Sequence, residues 1–168
     1  MQAGLRVQEG GSGEPLLVLL HGLGATGDVW LRWWPLLAQR WPGRWIAPDL
    51  PGHGGSTPLA AYTFDGFAGA VACVVQPSAR VVVLGHSLGG VVGLALASGR
   101  FAAAVQAVIG LGIKVVWTDE DLDRARAVAQ RPPACVSRAG AGGWPWIRRP
   151  SRSGRPIWGN CWPGRRPL

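Results

Sequence analysis

Apolar residues recur along this chain in two rhythms. Leu5-Arg6-Val7-Gln8 alternates as a strand with one wet face does, and Gly10-Gly11-Ser12-Gly13 then turns the chain into Leu16-Leu17-Val18-Leu19-Leu20. An unbroken apolar run of that length fits a strand buried on both faces. Trp30, Trp33, Trp34 and Leu37 repeat at helical spacing, and Pro35 must either kink that helix or open its second half. Trp45-Ile46-Ala47 reads as a short strand leading into the turn-rich Pro51-Gly52-His53-Gly54-Gly55-Ser56. A helix is predicted from Phe64 to Val75, where Pro77 stops it, and Arg80 to Leu84 is the most strand-like segment of all. A small-residue helix follows from about Gly90 to Ser98, then a strand over Ala104 to Leu111. Thr118, with Asp121 as its capping-box partner, opens a helix to about Gln130 that Pro132-Pro133 ends.

Strands and helices thus alternate, which predicts an α/β fold: a mostly parallel sheet with helices on both faces and sites at the C-terminal ends of the strands. Strands near 5–8, 16–20, 45–48, 80–84 and 105–111 should form one sheet, parallel except for the first. After Pro133 the periodicity vanishes. Residues 1–133 are read as one domain, and 134–168, rich in Arg, Pro, Gly and Trp, as a disordered C-terminal tail.

The charge sharpens that division. The chain of 168 residues carries a formal +8, but residues 1–133 hold ten basic and nine acidic side chains, whereas 134–168 hold seven arginines and no acid. A nucleic-acid partner would have to rest on the tail alone, where tryptophans 144, 146, 158 and 162 are interleaved with arginine and no RNA-binding motif is present. Cys73, Cys135 and Cys161 make neither a disulfide framework nor a zinc pattern, so no metal and no cofactor is expected. Met1 to Gly13 has no apolar core and Leu16 to Leu20 is too short to span a bilayer, which predicts a cytoplasmic protein without membrane attachment.

The chemistry gathers at the strand ends. Gly85-x-Ser87-x-Gly89 lies between a buried strand and a helix, the setting in which a serine is thrust out on a sharp turn and flanking glycines relieve the crowding. Ser87 is accordingly the candidate nucleophile. Acyl transfer also needs backbone donors for the developing oxyanion. His21-Gly22-Leu23-Gly24 ends an earlier strand and offers the Leu23 N–H; the Leu88 N–H, at the start of the elbow helix, is its expected partner.

His21-Gly22-Leu23-Gly24-Ala25, Asp49-Leu50-Pro51-Gly52-His53-Gly54-Gly55-Ser56 and Gly85-His86-Ser87-Leu88-Gly89-Gly90, in this order, resemble the α/β-hydrolase fold superfamily over about residues 3–131. The resemblance implies the fold of that superfamily, here cut short after about the sixth strand, with a cap beginning about residue 117. It implies a serine hydrolase acting on a carboxylic ester or related acyl bond of a small molecule, through an acyl-enzyme. It also gives His21, Gly22, His53, Gly85, His86 and Gly89 a structural place in the motifs.

Members of this superfamily carry an acid near the end of a later strand and a catalytic histidine after the last strand, and nothing here matches either position. The chain has three histidines, His21, His53 and His86, each inside a strand-end motif. Asp119, Glu120, Asp121 and Asp123 read as favourable charge at a helix start, and Asp49 as a partner for the loop it precedes. Without a base the serine hydroxyl is a weak nucleophile. Because Arg, Pro, Gly and Ala have GC-rich codons, the tail reads as a shifted frame of a GC-rich gene; the nucleotide sequence tests this. Two functions follow: an impaired serine hydrolase, or a hydrolase-like binding module that does no chemistry.

Overall fold

The computed structural model describes residues 4–75 and 80–130. Among them five strands form one sheet in the order β1-β3-β2-β4-β5: β1 is Val7–Gly10, β2 Leu16–Leu20, β3 Trp45–Pro48, β4 Arg80–His86 and β5 Ala104–Leu111. β1 pairs antiparallel with β3, and the other pairings are parallel. The expected α/β architecture is therefore present. The reading of 134–168 as a disordered tail lies outside the described residues.

Period-two alternation within the strands builds two cores. Leu16, Val18 and Leu20 of β2 and Val81 and Val83 of β4 face α2 (Phe64–Ala72) and α3 (Leu88–Leu96), where Phe67, Val71, Val92 and Leu96 meet them. Leu17, Leu19, Trp45 and Leu84 point the other way, onto Trp30, Trp34 and Leu37. Helices therefore cover both faces. Every residue of β2 is buried, which explains its lack of any polar position.

The differences from the expected boundaries have local causes. β1 begins two residues later than the alternation suggested, because pairing with β3 sets it: Val7 faces Pro48 and Gly10 faces Trp45. A Cβ on Gly10 would stand 2.5 Å from the Trp45 ring, so the glycine lets the indole close over the strand. The tryptophan-rich segment forms a 3-10 helix over Gly27–Trp33 followed by α1 (Trp34–Arg40), with Pro35 in the first turn of α1, where it needs no amide donor. α2 ends at Ala72, as bonds from Val74 N–H to Val71 and from Val75 N–H to Ala72 tighten its end into i→i+3 geometry. α4 (Asp119–Gln130) opens on the expected reciprocal box, Thr118 N–H donating to Asp121 Oδ2 at 3.1 Å and Asp121 N–H to Thr118 Oγ1 at 3.3 Å.

One cap gives a simple test of this layer. Thr63 Oγ1 accepts the Gly66 N–H at 2.9 Å and is the only side-chain cap of α2. Thr63→Ala should lower stability by about 1 kcal/mol, read as a lower urea midpoint with an unchanged slope.

Candidate active site

The C-terminal ends of β2, β3 and β4 bring the three glycine-rich motifs to one edge of the sheet. Ser87 sits between β4 and α3 with φ 49° and ψ −115°, the only non-glycine residue at positive φ among the described residues. Holding an L-residue there costs roughly 1–3 kcal/mol and needs surrounding structure to enforce it. Two contacts do so. The Ser87 N–H donates to the Leu111 carbonyl at 2.8 Å, tying the turn to the end of β5. Gly85 and Gly89 let β4, α3 and β2 approach one another: a Cβ on Gly89 would lie 2.6 Å from the Leu20 carbonyl carbon and 2.7 Å from the His21 oxygen. The Ser87 side chain caps nothing, although its carbonyl accepts the Gly90 N–H at 3.0 Å. Leu88 follows as the first residue of α3, where free amides and the helix dipole favour negative charge.

Leu23 lies in the turn after β2 and is 71% exposed. The Ala25 N–H closes this turn onto Gly22 O at 3.2 Å. His21, immediately before, is wholly buried. Its Nδ1 donates to Gly22 O at 2.8 Å and its Nε2 accepts the Leu50 N–H at 2.8 Å, which fixes a neutral tautomer and splices the β2 turn to the β3 turn.

Burial pulls the His21 pKa down from 6.5 to about 4. The neutral form is thus favoured in the folded state, and the unfolded chain binds a proton that the folded one refuses. The stabilisation is complete above about pH 6.5 and is lost as pH falls toward 4, to a total of about 3 kcal/mol. Urea titrations at pH 7 and pH 4.5 should differ accordingly, and the difference should shrink in His21→Gln.

The β3 turn is held by a carboxylate. Asp49, also fully buried, accepts the Gly27 N–H at 2.8 Å and the Gly55 N–H at 3.0 Å, and pairs with Arg6 at 3.0 Å. Arg6 reaches Asp28 as well, at 3.5 Å, so one guanidinium joins the residue before β1 to the 3-10 helix and to the turn after β3. A Cβ on Gly54 would stand 2.7 Å from the Asp49 carboxyl carbon, which explains the glycine. His53 has its Nδ1 3.0 Å from Pro51 O and its ring 5.1 Å from that of His21.

His86 projects beside Ser87 but onto a different wall. Its Nδ1 would lie 2.8 Å from a Cβ on Gly22, so the ring occupies space that the glycine leaves. With Gly22, Ala25, Val29, Trp30, Trp33 and Leu111 it lines a pocket of about 320 Å³. No imidazole or carboxylate among the described residues is hydrogen-bonded to the Ser87 hydroxyl. No group of three or more His, Cys, Asp or Glu residues that could hold a metal ion occurs among them, and none of their helices is long and apolar enough to cross a membrane. The acidic cluster at 119–123 opens α4; there Lys114, 2.5 Å from Asp121, and the Thr118 cap hold that carboxyl well below its ordinary range.

Sequence reasoning missed Arg6, Leu111 and the pocket-lining Trp30 and Trp33. The tryptophan spacing did show an apolar helical face, but it could not show that part of that face borders the site. The role of Leu111 belongs to its carbonyl, which no side-chain pattern reports.

Known proteins resemble this chain in sequence and in fold. Residues 17–166 match the model of the alpha/beta hydrolase family. Lipase LipV of Mycobacterium tuberculosis is 42% identical over 100 residues, covering 57% of this chain and 37% of that protein. Pimeloyl-[acyl-carrier protein] methyl ester esterase of Methylococcus capsulatus is 40% identical over 108 residues, covering 64% of this chain and 40% of the esterase. Among solved structures, a thermophilic esterase from Thermogutta terrifontis superposes with a TM-score of 0.62 at 26% identity, over 76% of this chain and 47% of that one. The chain spans less than half the length of each of these proteins.

Proposed function

Because the chain belongs to the alpha/beta hydrolase family, we propose that Ser87 is the nucleophile of an acyl-transfer site acting on carboxylic esters or related acyl bonds of small molecules. The observation that carries this reading is the strained Ser87 backbone at a strand-to-helix turn, enforced by Gly85, Gly89 and the Leu111 carbonyl. Strain of this kind needs a reason, and exposing a hydroxyl above the sheet edge is one. The esterase and lipase relatives are consistent with the substrate class.

In this mechanism the Ser87 Oγ attacks the ester carbonyl carbon and its proton passes to a base. The carbonyl oxygen becomes an oxyanion, stabilised by the Leu23 and Leu88 N–H groups. Collapse of the tetrahedral species expels the alcohol, which takes up the proton, and water then cleaves the acyl-serine to release the acid. None of the three histidines suits the base. His21 uses both ring nitrogens internally, His53 faces Pro51 O, and His86 leans onto Gly22. The chain as it stands is therefore a hydrolase with a weakly activated serine.

Labelling with a fluorophosphonate tests the assignment. Slow modification that mass spectrometry maps to Ser87 alone, and that Ser87→Ala abolishes, is the expected result. Modification at other serines, or none after prolonged exposure, would sink it and leave a hydrolase-like binding module as the reading.

A further inference from the structure

The two edges of the sheet are finished differently. β1 is four residues long and carries Glu9, paired with Arg44, and a short, charged edge discourages a further strand from adding there. β5 is eight residues long, contains no charge and no proline, and among the described residues pairs with β4 alone. One of its faces is covered, since Val105 and Val108 pack against the core beneath α2 and α3. The other is not. Ala107, Ile109 and Leu111 lie beside Val82, Leu84 and His86, yet the tryptophan-rich helices that bury Leu84 reach no farther, and all three residues are exposed. A long apolar edge without charge or proline is a template on which another strand can pair.

The hydrogen-bond direction of β5 decides how a second strand would meet it. Successive residues bond to opposite sides of a strand, and the Leu111 carbonyl accepts the Ser87 N–H, so Leu111, Ile109 and Ala107 bond toward β4. Val108 and Gly110 therefore turn their N–H and C=O groups outward. The register shift between Val81 and Val82 leaves Gln106 as a bulge, so the regular part of the edge runs from Ala107 to Leu111 and is centred on Ile109. A two-fold axis through that centre makes the strand its own complement. In antiparallel register, Val108 of one protomer exchanges both hydrogen bonds with Gly110 of its partner, Ile109 meets Ile109, and Leu111 meets Ala107. Larger side chains thus stand against smaller ones, and no charge opposes its own copy anywhere from Ala104 to Ile113. A specific dimer buries about 800 Å² per partner, more than a short strand pair supplies. Val115, Val116 and Trp117, exposed directly after β5, provide further apolar area near each end of the pair. We infer that β5 is the interface of a symmetric dimer of this chain, in which antiparallel β5–β5 pairing about Ile109 joins two five-stranded sheets into one.

Sedimentation-velocity ultracentrifugation of the full chain tests this. Twice the monomer mass is expected, with dissociation on dilution. Ile109→Lys, at an exposed position, sets two ammonium groups against each other across the axis and should raise the dissociation constant by at least about tenfold. Ala107→Lys repeats the test with a charge placed against Leu111 of the other copy. Leu36→Lys, a like change at an exposed position on α1, should leave the dimer as it is. Circular dichroism checks that each variant folds. Disulfide trapping then reads the register. Residues opposed at a non-hydrogen-bonded position have Cα atoms about 4.5 Å apart, within bridging range, so Ile109→Cys should cross-link under mild oxidation, with mass spectrometry mapping the bridge to residue 109 of both copies. Leu111→Cys faces Ala107 instead and should not bridge to itself. A monomer at every concentration would overturn the proposal, leaving the edge open or covered by residues 131–168 of the same chain or by a different protein. Undiminished association in both folded lysine variants, open-ended aggregates in place of a dimer, or self-bridging at residue 111 but not at 109 would overturn it equally.

Discussion

Purified chain assayed with p-nitrophenyl acetate should turn over about four to six orders of magnitude more slowly than a family member with a complete triad, and Ser87→Ala should lower the remaining rate by less than about tenfold. The two expectations have one cause. A serine hydroxyl attacks effectively only when its proton is removed in the same step, and removal of the triad histidine forfeits nearly all of that assistance. What persists is the oxyanion stabilisation that backbone donors supply, and this acts on water attacking the bound ester as well as on serine. No burst of nitrophenol should precede the steady state. A burst that Ser87→Ala abolishes would reveal a working base, and His53→Ala would be the first variant to make. His53 lies in the turn after β3 with only one ring nitrogen engaged by the backbone, whereas His21 is locked at both.

The second large effect is structural. Gly89→Ala should cost about 4 kcal/mol or more, placing it in the exceptional class of substitutions, and should leave little folded protein at 37 °C. The added methyl would meet the backbone of Leu20, the last residue of a wholly buried central strand, and of the buried His21 that follows it, and neither can retreat. A flexible side chain would yield, whereas a paired strand does not. Circular dichroism and a urea midpoint would report the loss. Wild-type stability in the Gly89→Ala variant would mean that β2 and α3 are not packed as described, and the exposure of Ser87 would then lack its support.

The legibility of the fold varied with the range of the force responsible. β2 and β4 were readable because complete burial leaves no polar residue within Leu16–Leu20, and the stretch from Val81 to Leu84 is equally apolar. The α4 start was readable because Thr118 and Asp121 act across one turn. The limits of β1 were not, since Glu9 and Gly10 join the sheet only through β3. In the site, the Gly85-to-Gly89 turn announced itself because backbone crowding demands glycine locally. The Arg6–Asp49–Asp28 link joins residues up to 43 positions apart, and the bond from Ser87 N–H to Leu111 O carries no residue preference. Neither leaves a trace in a single sequence. Asp49 was legible in part: its place before a glycine-rich turn marks a loop partner, but not its ion pair.

The sheet order has a consequence for the chain while it is being made. β2 is the central strand, yet its neighbour β4 begins at Arg80, sixty residues after β2 ends at Leu20. At a synthesis rate of roughly 5–20 residues per second, an entirely apolar strand waits about 3–12 s for that side of its pairing. For most of the wait β3 and the tryptophan-rich helices cover one edge and one face, and α2, which packs on the other face, is complete only at Ala72, shortly before β4. Nascent chains paused between β3 and β4 should therefore be the species most prone to associate with one another or to engage holdase chaperones, and release should coincide with the appearance of β4.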